Sequence, residues 1–196
     1  MIIWINGAWG AGKTQTCAEL YRRTERSFLY DAENAGYFLR KNQPSFLHKE
    51  DFQDDPLWRE ISFKMLLSIS QNYDGIIIFP MTIVNPQYYK EIISKLRENN
   101  ISVFHFVLYA EKETLKKRLR KRFEFKNSWA YKRIDICLKA FENEIFENKI
   151  YTDKKSIPDV AEEIASILNI PLKKRDNAIK QKINMLKTQS NFIRKQ

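Results

Sequence analysis

Residues 1–14, MIIWINGAWGAGKT, constrain the chain more than any other stretch. Gly7, Gly12, Lys13 and Thr14 satisfy G-x-x-x-x-G-K-[ST], the Walker A phosphate-binding pattern, with Ala8, Trp9, Gly10 and Ala11 at its variable positions. Ile2, Ile3, Trp4 and Ile5 lead into it as a buried parallel strand would, and TQTCAELYRR follows with Cys17, Leu20 and Tyr21 on one side of a helix. A loop between strand and helix offers an anion both a nest of backbone N–H groups and the positive end of a helix dipole. Glycines at positions 7, 10 and 12 let the backbone take positive φ and approach phosphate closely. In such a loop Lys13 is expected to reach the β- and γ-phosphates of a nucleotide, and the Thr14 hydroxyl to ligate Mg²⁺. The expected fold class is therefore α/β, built on a parallel sheet.

At 196 residues the chain suits one such domain with a real core. No apolar run is long enough to span a bilayer, and the N-terminus reads as strand and P-loop rather than signal peptide. Cys17 and Cys137 offer neither a disulfide framework nor metal-ligand spacing, which suits buried thiols in a reducing, cytoplasmic compartment. The net charge of +10 is local: residues 172–196 carry eight Lys/Arg against Asp176 alone, so +7 sits in the tail and +3 in the rest. With no nucleic-acid-binding signature beside it, no specific nucleic acid partner is expected.

Four more strands can be placed. Ser27 to Tyr30 is the second, and it delivers Asp31 and Glu33 to the carboxyl edge where open α/β sheets bind ligands. Asp31 there is expected to orient or deprotonate an acceptor hydroxyl or to hold Mg²⁺ through water, to cap the helix through residues 35–40, or to do both. Residues 36–71 form a polar, aromatic-rich insert, the expected acceptor-binding lobe, although Trp58, Ile61, Met65 and Ile69 also fit a core stripe. The third strand, residues 76–79, runs into Pro80, Met81 and Thr82 without the usual Walker B Asp. Asn85-Pro86 opens a helix, and residues 103–109 make the fourth strand, with His105 as a core histidine. Arg118 and Arg122 share a face of the next helix, where one guanidinium can lie over adenine and the other reach transferring phosphate. Residues 123–133 are the expected lid, with Lys126, Lys132 and Arg133 as its cations; Phe123 to Asn127 interrupt the helical pattern and one long helix runs from Ser128 to about Glu147. Residues 150–152 make the fifth strand. Asn148-Lys149 lacks the Asp of a guanine-reading motif, so ATP is expected rather than GTP.

The tail reads as a last helix. At 100° per residue Ala178, Ile179, Ile183, Met185, Leu186, Phe192 and Ile193 cover about half its circumference, and Lys180, Lys187, Arg194 and Lys195 cluster opposite. Such a helix can lie on the anionic inner face of a membrane through residues 173–196, or pack on the domain or a partner.

INGAWGAGKTQT, YDAENAGYFLR, DFQDDPLWR, FPMTIV, ETLKKRLRKR and KNSWA together resemble the bacterial tunicamycin-resistance family over essentially the whole chain. The resemblance implies ATP binding, resistance to tunicamycin and membrane association through the C-terminal segment. It also implies a three-layer P-loop kinase-like fold like that of adenylate, shikimate and chloramphenicol kinases: a five-stranded parallel sheet with a lid and a C-terminal amphipathic helix. Residues 1–171 would form the domain and 172–196 the tail. Two functions follow from this, and the motifs alone are also compatible with a housekeeping kinase for an ordinary metabolite. One is an ATP-dependent phosphotransferase acting on tunicamycin or a related nucleoside antibiotic, with Asp31 as base, Lys13 and Mg²⁺ on the phosphates, and Arg118 and Arg122 stabilising transferring charge. The other is an ATP-dependent binder that sequesters the drug at the membrane.

Overall fold

The computed structural model describes residues 1–124 and 127–193, with side chains as far as Gln189. Strand β1, Ile2–Gly7, is buried at every position, so it occupies the middle of the sheet. Around it the order is β2-β3-β1-β4-β5, all parallel, with β2 at Ser27–Leu29, β3 at Ile76–Pro80, β4 at Val103–Tyr109 and β5 at Lys149–Tyr151. Runs such as Ile76, Ile77, Ile78 and Phe79 are uninterruptedly apolar because a parallel sheet is covered on both faces. Helix α1, Lys13–Arg23, and α9, Ile157–Ile167, pack on each other along one side. On the other, α3, Pro56–Asn72, meets a helical run formed by α4, Pro86–Tyr89, a π-helical turn, Lys90–Ser94, and α5, Lys95–Glu98. This is the expected three-layer α/β arrangement.

Local chemistry sets the helix ends. Asp55 and Asn85 accept hydrogen bonds from Leu57 and Gln87 N–H with Pro at the first helical position, and Ser156 forms a reciprocal capping box with Asp159. Helix α2, Glu33–Asn42, begins shortly after β2, beyond the Tyr30–Asp31 turn. Ala32 is its formal cap, but Asp31 Oδ1 accepts from Glu33 N–H at 3.1 Å and supplies the missing acceptor. The insert is otherwise two short 3₁₀ turns, Ser45–Leu47 and Phe52–Asp54, and α3. After β4 comes helix α6, Lys112–Arg120.

Two expectations need correction. In α3 the buried residues are Trp58, Arg59, Ser62 and Leu66, and Ile61 and Ile69 pack partly buried against the core as expected, but Met65 is exposed. The single long helix over 128–147 is instead α7, Trp129–Lys132, and α8, Ile134–Ala140, joined at Arg133 and followed by turns. Phe141 and Phe146 are both buried, and five residues of helix would turn them about 140° apart. The chain leaves the helix so that both rings can enter the core, where Phe146 packs edge-on against Tyr89.

Candidate functional site

The crevice at the carboxyl ends of β1 and β3 is a cavity of about 750 Å³. Its floor is the P-loop between β1 and α1. Gly7, Gly10 and Gly12 all have positive φ, and a Cβ on Gly7 would lie 2.7 Å from the Leu108 carbonyl, so no other residue fits there. Asn6, the residue before it, is completely buried and fixes the loop from below. Its Oδ1 accepts from Gly7 N–H at 2.7 Å and Ile83 N–H at 3.0 Å, and its Nδ2 donates to Ile83 O at 2.8 Å. The same amide faces His105 Nε2 at 3.1 Å. Burial lowers the His105 pKa to about 3, so the ring is neutral at pH 7 and Nε2 accepts. Thr82 Oγ1 donates to Gly7 O at 2.8 Å. The turn after β3, which lacks a Walker B carboxylate, is thus tied to the P-loop by an amide and a hydroxyl.

Lys13 Nζ donates to the carbonyls of Gly7 at 2.8 Å and Ala8 at 3.1 Å. Burial lowers its pKa to about 8, with Arg122 pushing further down and Glu33 up. Its ammonium also lies 5.5 Å from the centre of the Trp9 ring. Thr14 and Asp31 line the same cavity, together with Glu33, Thr82 and Arg122. The insert contributes Tyr37, Arg40, Asp51 and Gln53 to the lining, and the segment after α6 contributes Glu124 and Trp129. Asp51 is nearly buried; burial raises its pKa, against the effect of the Arg133 guanidinium 3.5 Å away. Trp9 and Trp129 meet edge to face at 4.6 Å, and Arg133 lies 4.7 Å over Trp129. A chain of contacts therefore runs from P-loop to α7 and back to the insert.

The structure brings most of the sequence-derived candidates into this cavity but separates the two arginines. Helix α6 ends before Arg122, which projects from the following turn into the cavity. Arg118 stays behind the P-loop. It donates to Thr152 Oγ1 at 2.9 Å and Thr152 O at 2.6 Å, with Gly10 O and Ala11 O at 3.4 and 3.5 Å, and so joins the P-loop to the loop after β5. Lys126 lies outside the described residues, as do Arg194 and Lys195. Sequence reasoning missed Asn6, the Trp9–Trp129 pair and the Asp51–Arg133 pair. An aromatic at a variable Walker A position was the visible signal for the second; the others depend on tertiary contacts between residues 77 or more positions apart.

The donor set fits nucleotide phosphates: glycine amides, one ammonium resting on carbonyls it can exchange for phosphate, and a hydroxyl at the helix start. For Mg²⁺ it offers Thr14 and Asp31, and no cluster of three metal-ligating side chains occurs among the described residues. That suits an ion held largely by phosphates and water rather than a protein cage.

Solved structures share the fold. The tunicamycin resistance protein of Deinococcus radiodurans is similar over 89% of this chain and 99% of its own, with 29% identity and a TM-score of 0.76. Shikimate kinase from Bacteroides thetaiotaomicron (17% identity, TM-score 0.57, 87% of this chain and 99% of that one) shares the fold. So does the APS kinase of Mycobacterium tuberculosis in complex with AMPPNP and APS (15%, 0.56, 86% and 96%). No curated protein matches the chain by sequence comparison at a significant level. Residues 3–147, well over half of the chain, match the AAA domain family, and with its P-loop at the head of a five-stranded parallel sheet the chain belongs to that family.

Proposed function

We propose that the chain is a phosphotransferase that moves the terminal phosphoryl group of ATP to a hydroxyl of tunicamycin or a related nucleoside antibiotic. The observation that carries this reading is the shared cavity: Lys13, Thr14 and Arg122 line it together with Asp31 and the insert residues Tyr37 and Asp51. In the transfer, the acceptor oxygen forms a bond to the γ-phosphorus as the bond to the ADP oxygen breaks, and the acceptor proton passes to Asp31. Lys13 leaves the Gly7 and Ala8 carbonyls to hold phosphate oxygens, and Arg122 follows the charge on the transferred group. Thr14 and Asp31 would hold Mg²⁺, which would supply neutralisation of phosphate charge. Trp129, paired with Trp9, is placed to exclude water from the reacting phosphate. Arg118 serves the donor side by holding the P-loop against the loop after β5.

Tunicamycin combines uridine and N-acetylglucosamine units with a fatty acyl chain. The insert's phenol, amide and carboxylates suit hydroxyl and amide groups, and the tail suits the lipophilic part. Helix α10, Ala178–Ile193, with the basic residues around it, is the proposed attachment to the anionic inner face of the membrane. No helix among the described residues is long and apolar enough to cross a membrane. The amide-and-hydroxyl junction that replaces a Walker B carboxylate supports a second reading, sequestration of the drug without transfer. Mass spectrometry of tunicamycin after incubation with the protein, ATP and Mg²⁺ separates the two. A phosphate-sized mass gain is expected. Unchanged drug that copurifies with the protein only when ATP is present would establish the binder instead.

A further inference from the structure

Helix α10 meets the protein with its polar side. At 100° per residue Gln181, Asn184 and Thr188 fall within about 60° of one another. These three are the only residues of α10 through Gln189 that are not exposed. Gln15 Nε2 donates to Met185 O at 3.0 Å, and Arg22 Nη1 to Thr188 Oγ1 at 3.4 Å, so the contact is with α1. Asp176 sets the start of the helix through Asn184 and an ion pair with Lys180. The opposite side carries Ile179, Ile183 and Leu186, which are 75%, 46% and 60% exposed. On the helical wheel Lys182 borders that stripe on one edge, and Lys180 and Lys187 border it on the other.

An amphipathic helix ordinarily docks by its apolar stripe and turns its charges to water. Here the docking is reversed, and the apolar stripe, with Lys182 on one edge and Lys180 and Lys187 on the other, faces outward while the helix is in place. That is the arrangement an anionic lipid surface takes: apolar side chains enter the headgroup boundary and flanking ammonium groups meet lipid phosphates. The helix also reaches the site. Gln189 lines the phosphate cavity beside Thr14 and Gln15, three residues or about 4.5 Å of rise beyond Leu186.

We propose that α10 binds anionic lipid in its docked state, without leaving α1, and so holds the P-loop cavity at the bilayer surface. This rests on the membrane attachment proposed above and specifies its geometry. The helix is a two-faced platform: one face reads α1 directly after the Walker A Thr14, and the other reads lipid. A lipophilic acceptor dissolved in the membrane then enters the cavity without crossing bulk water.

The test joins the two helices. Arg22→Cys and Thr188→Cys, linked by a short bismaleimide, fix α10 on α1, and the native thiols Cys17 and Cys137 are buried. The linked protein should cosediment with phosphatidylglycerol-containing vesicles as well as the unlinked double variant, and neither should bind phosphatidylcholine alone. Ile179→Glu with Leu186→Glu should weaken the anionic-vesicle binding by about tenfold or more. Loss of vesicle binding on linking, with the unlinked protein still bound, overturns the docked geometry and leaves membrane attachment standing. Absence of binding by the unlinked protein at low salt overturns both. Hydrogen exchange on the unmodified protein provides an independent measurement: α1 around Gln15 and Arg22 should stay as protected with vesicles as without, and faster exchange there overturns the proposal. Failure of phosphotransfer itself would appear separately, as an unchanged mass of tunicamycin.

Discussion

At Lys13, burial and function act in opposite directions. Burial lowers its pKa to about 8, whereas bound phosphates favour the ammonium. The charged form that phosphate requires predominates below pH 8 and is half lost at about pH 8. ATP affinity is therefore expected to fall as pH rises from 7 through 9, with proton uptake on binding in the upper part of that range. Calorimetry in buffers of different ionisation enthalpy measures both. Lys13→Ala should bind ATP weakly at every pH and lose this dependence; a variant with unaltered affinity would remove Lys13 from the site. Asp31 tests the chemistry. Asp31→Asn keeps an oxygen for Glu33 N–H, so α2 should retain its start while the base is lost. The expected result is a rate lower by roughly 10²–10⁴ with ATP and drug still bound. A transfer rate equal to that of the parent protein would leave Asp31 a structural role only.

The elements were legible wherever apolar runs and caps coincide, and less so where distant residues decide. All five strands lie within two or three residues of their sequence-based positions; for the central β1 and β3 this is because parallel strands covered on both faces need unbroken apolar runs, whereas the short edge strands β2 and β5 are only partly buried. The break between α7 and α8 at Arg133 has no glycine or proline to announce it. It occurs where Arg133 turns to Asp51 and Trp129. In the same way Arg122 shares a helical period with Arg118 in sequence, yet α6 ends between them and sends them to different places. The Trp9–Trp129 contact makes the proposed water-excluding role of Trp129 measurable. Such pairs contribute about 0.5–1.5 kcal/mol, enough to shift an opening equilibrium by up to about tenfold. Trp129→Ala should accordingly speed release of a fluorescent ATP analogue by about 3- to 10-fold in stopped-flow experiments. An unchanged off-rate would mean that the pair plays no part in closure over the nucleotide.

For the whole molecule, the decisive question is how the basic tail is fastened. Composition locates the charge, but it cannot tell which side of the last helix faces the domain, because that depends on Gln15 and Arg22 of α1. Nor does composition show where the tail can be removed. Lys173 N–H donates to Arg23 O and Arg23 Nε to Lys173 O, while Arg175 is bonded to Asp159 and Glu162. Cutting at residue 172 would strip these bonds from α1 and α9 and confuse lost attachment with lost stability. Truncation after Asp176 removes α10 and leaves the anchored strap in place. That protein is expected to keep its thermal stability and most of its ATP affinity, since the P-loop contacts lie elsewhere and, among the described residues, only Gln189 leaves the cavity wall. It should nevertheless move from the membrane to the soluble fraction and protect cells less well against tunicamycin. The intact protein should show a milder form of the same shift in high salt, because exposed charges are screened beyond about 8 Å at physiological ionic strength and more strongly above it. Full membrane retention of the truncated protein would assign attachment to the domain surface. Loss of ATP binding with a lowered melting temperature would make α10 part of the core, a role its polar contact face does not suit.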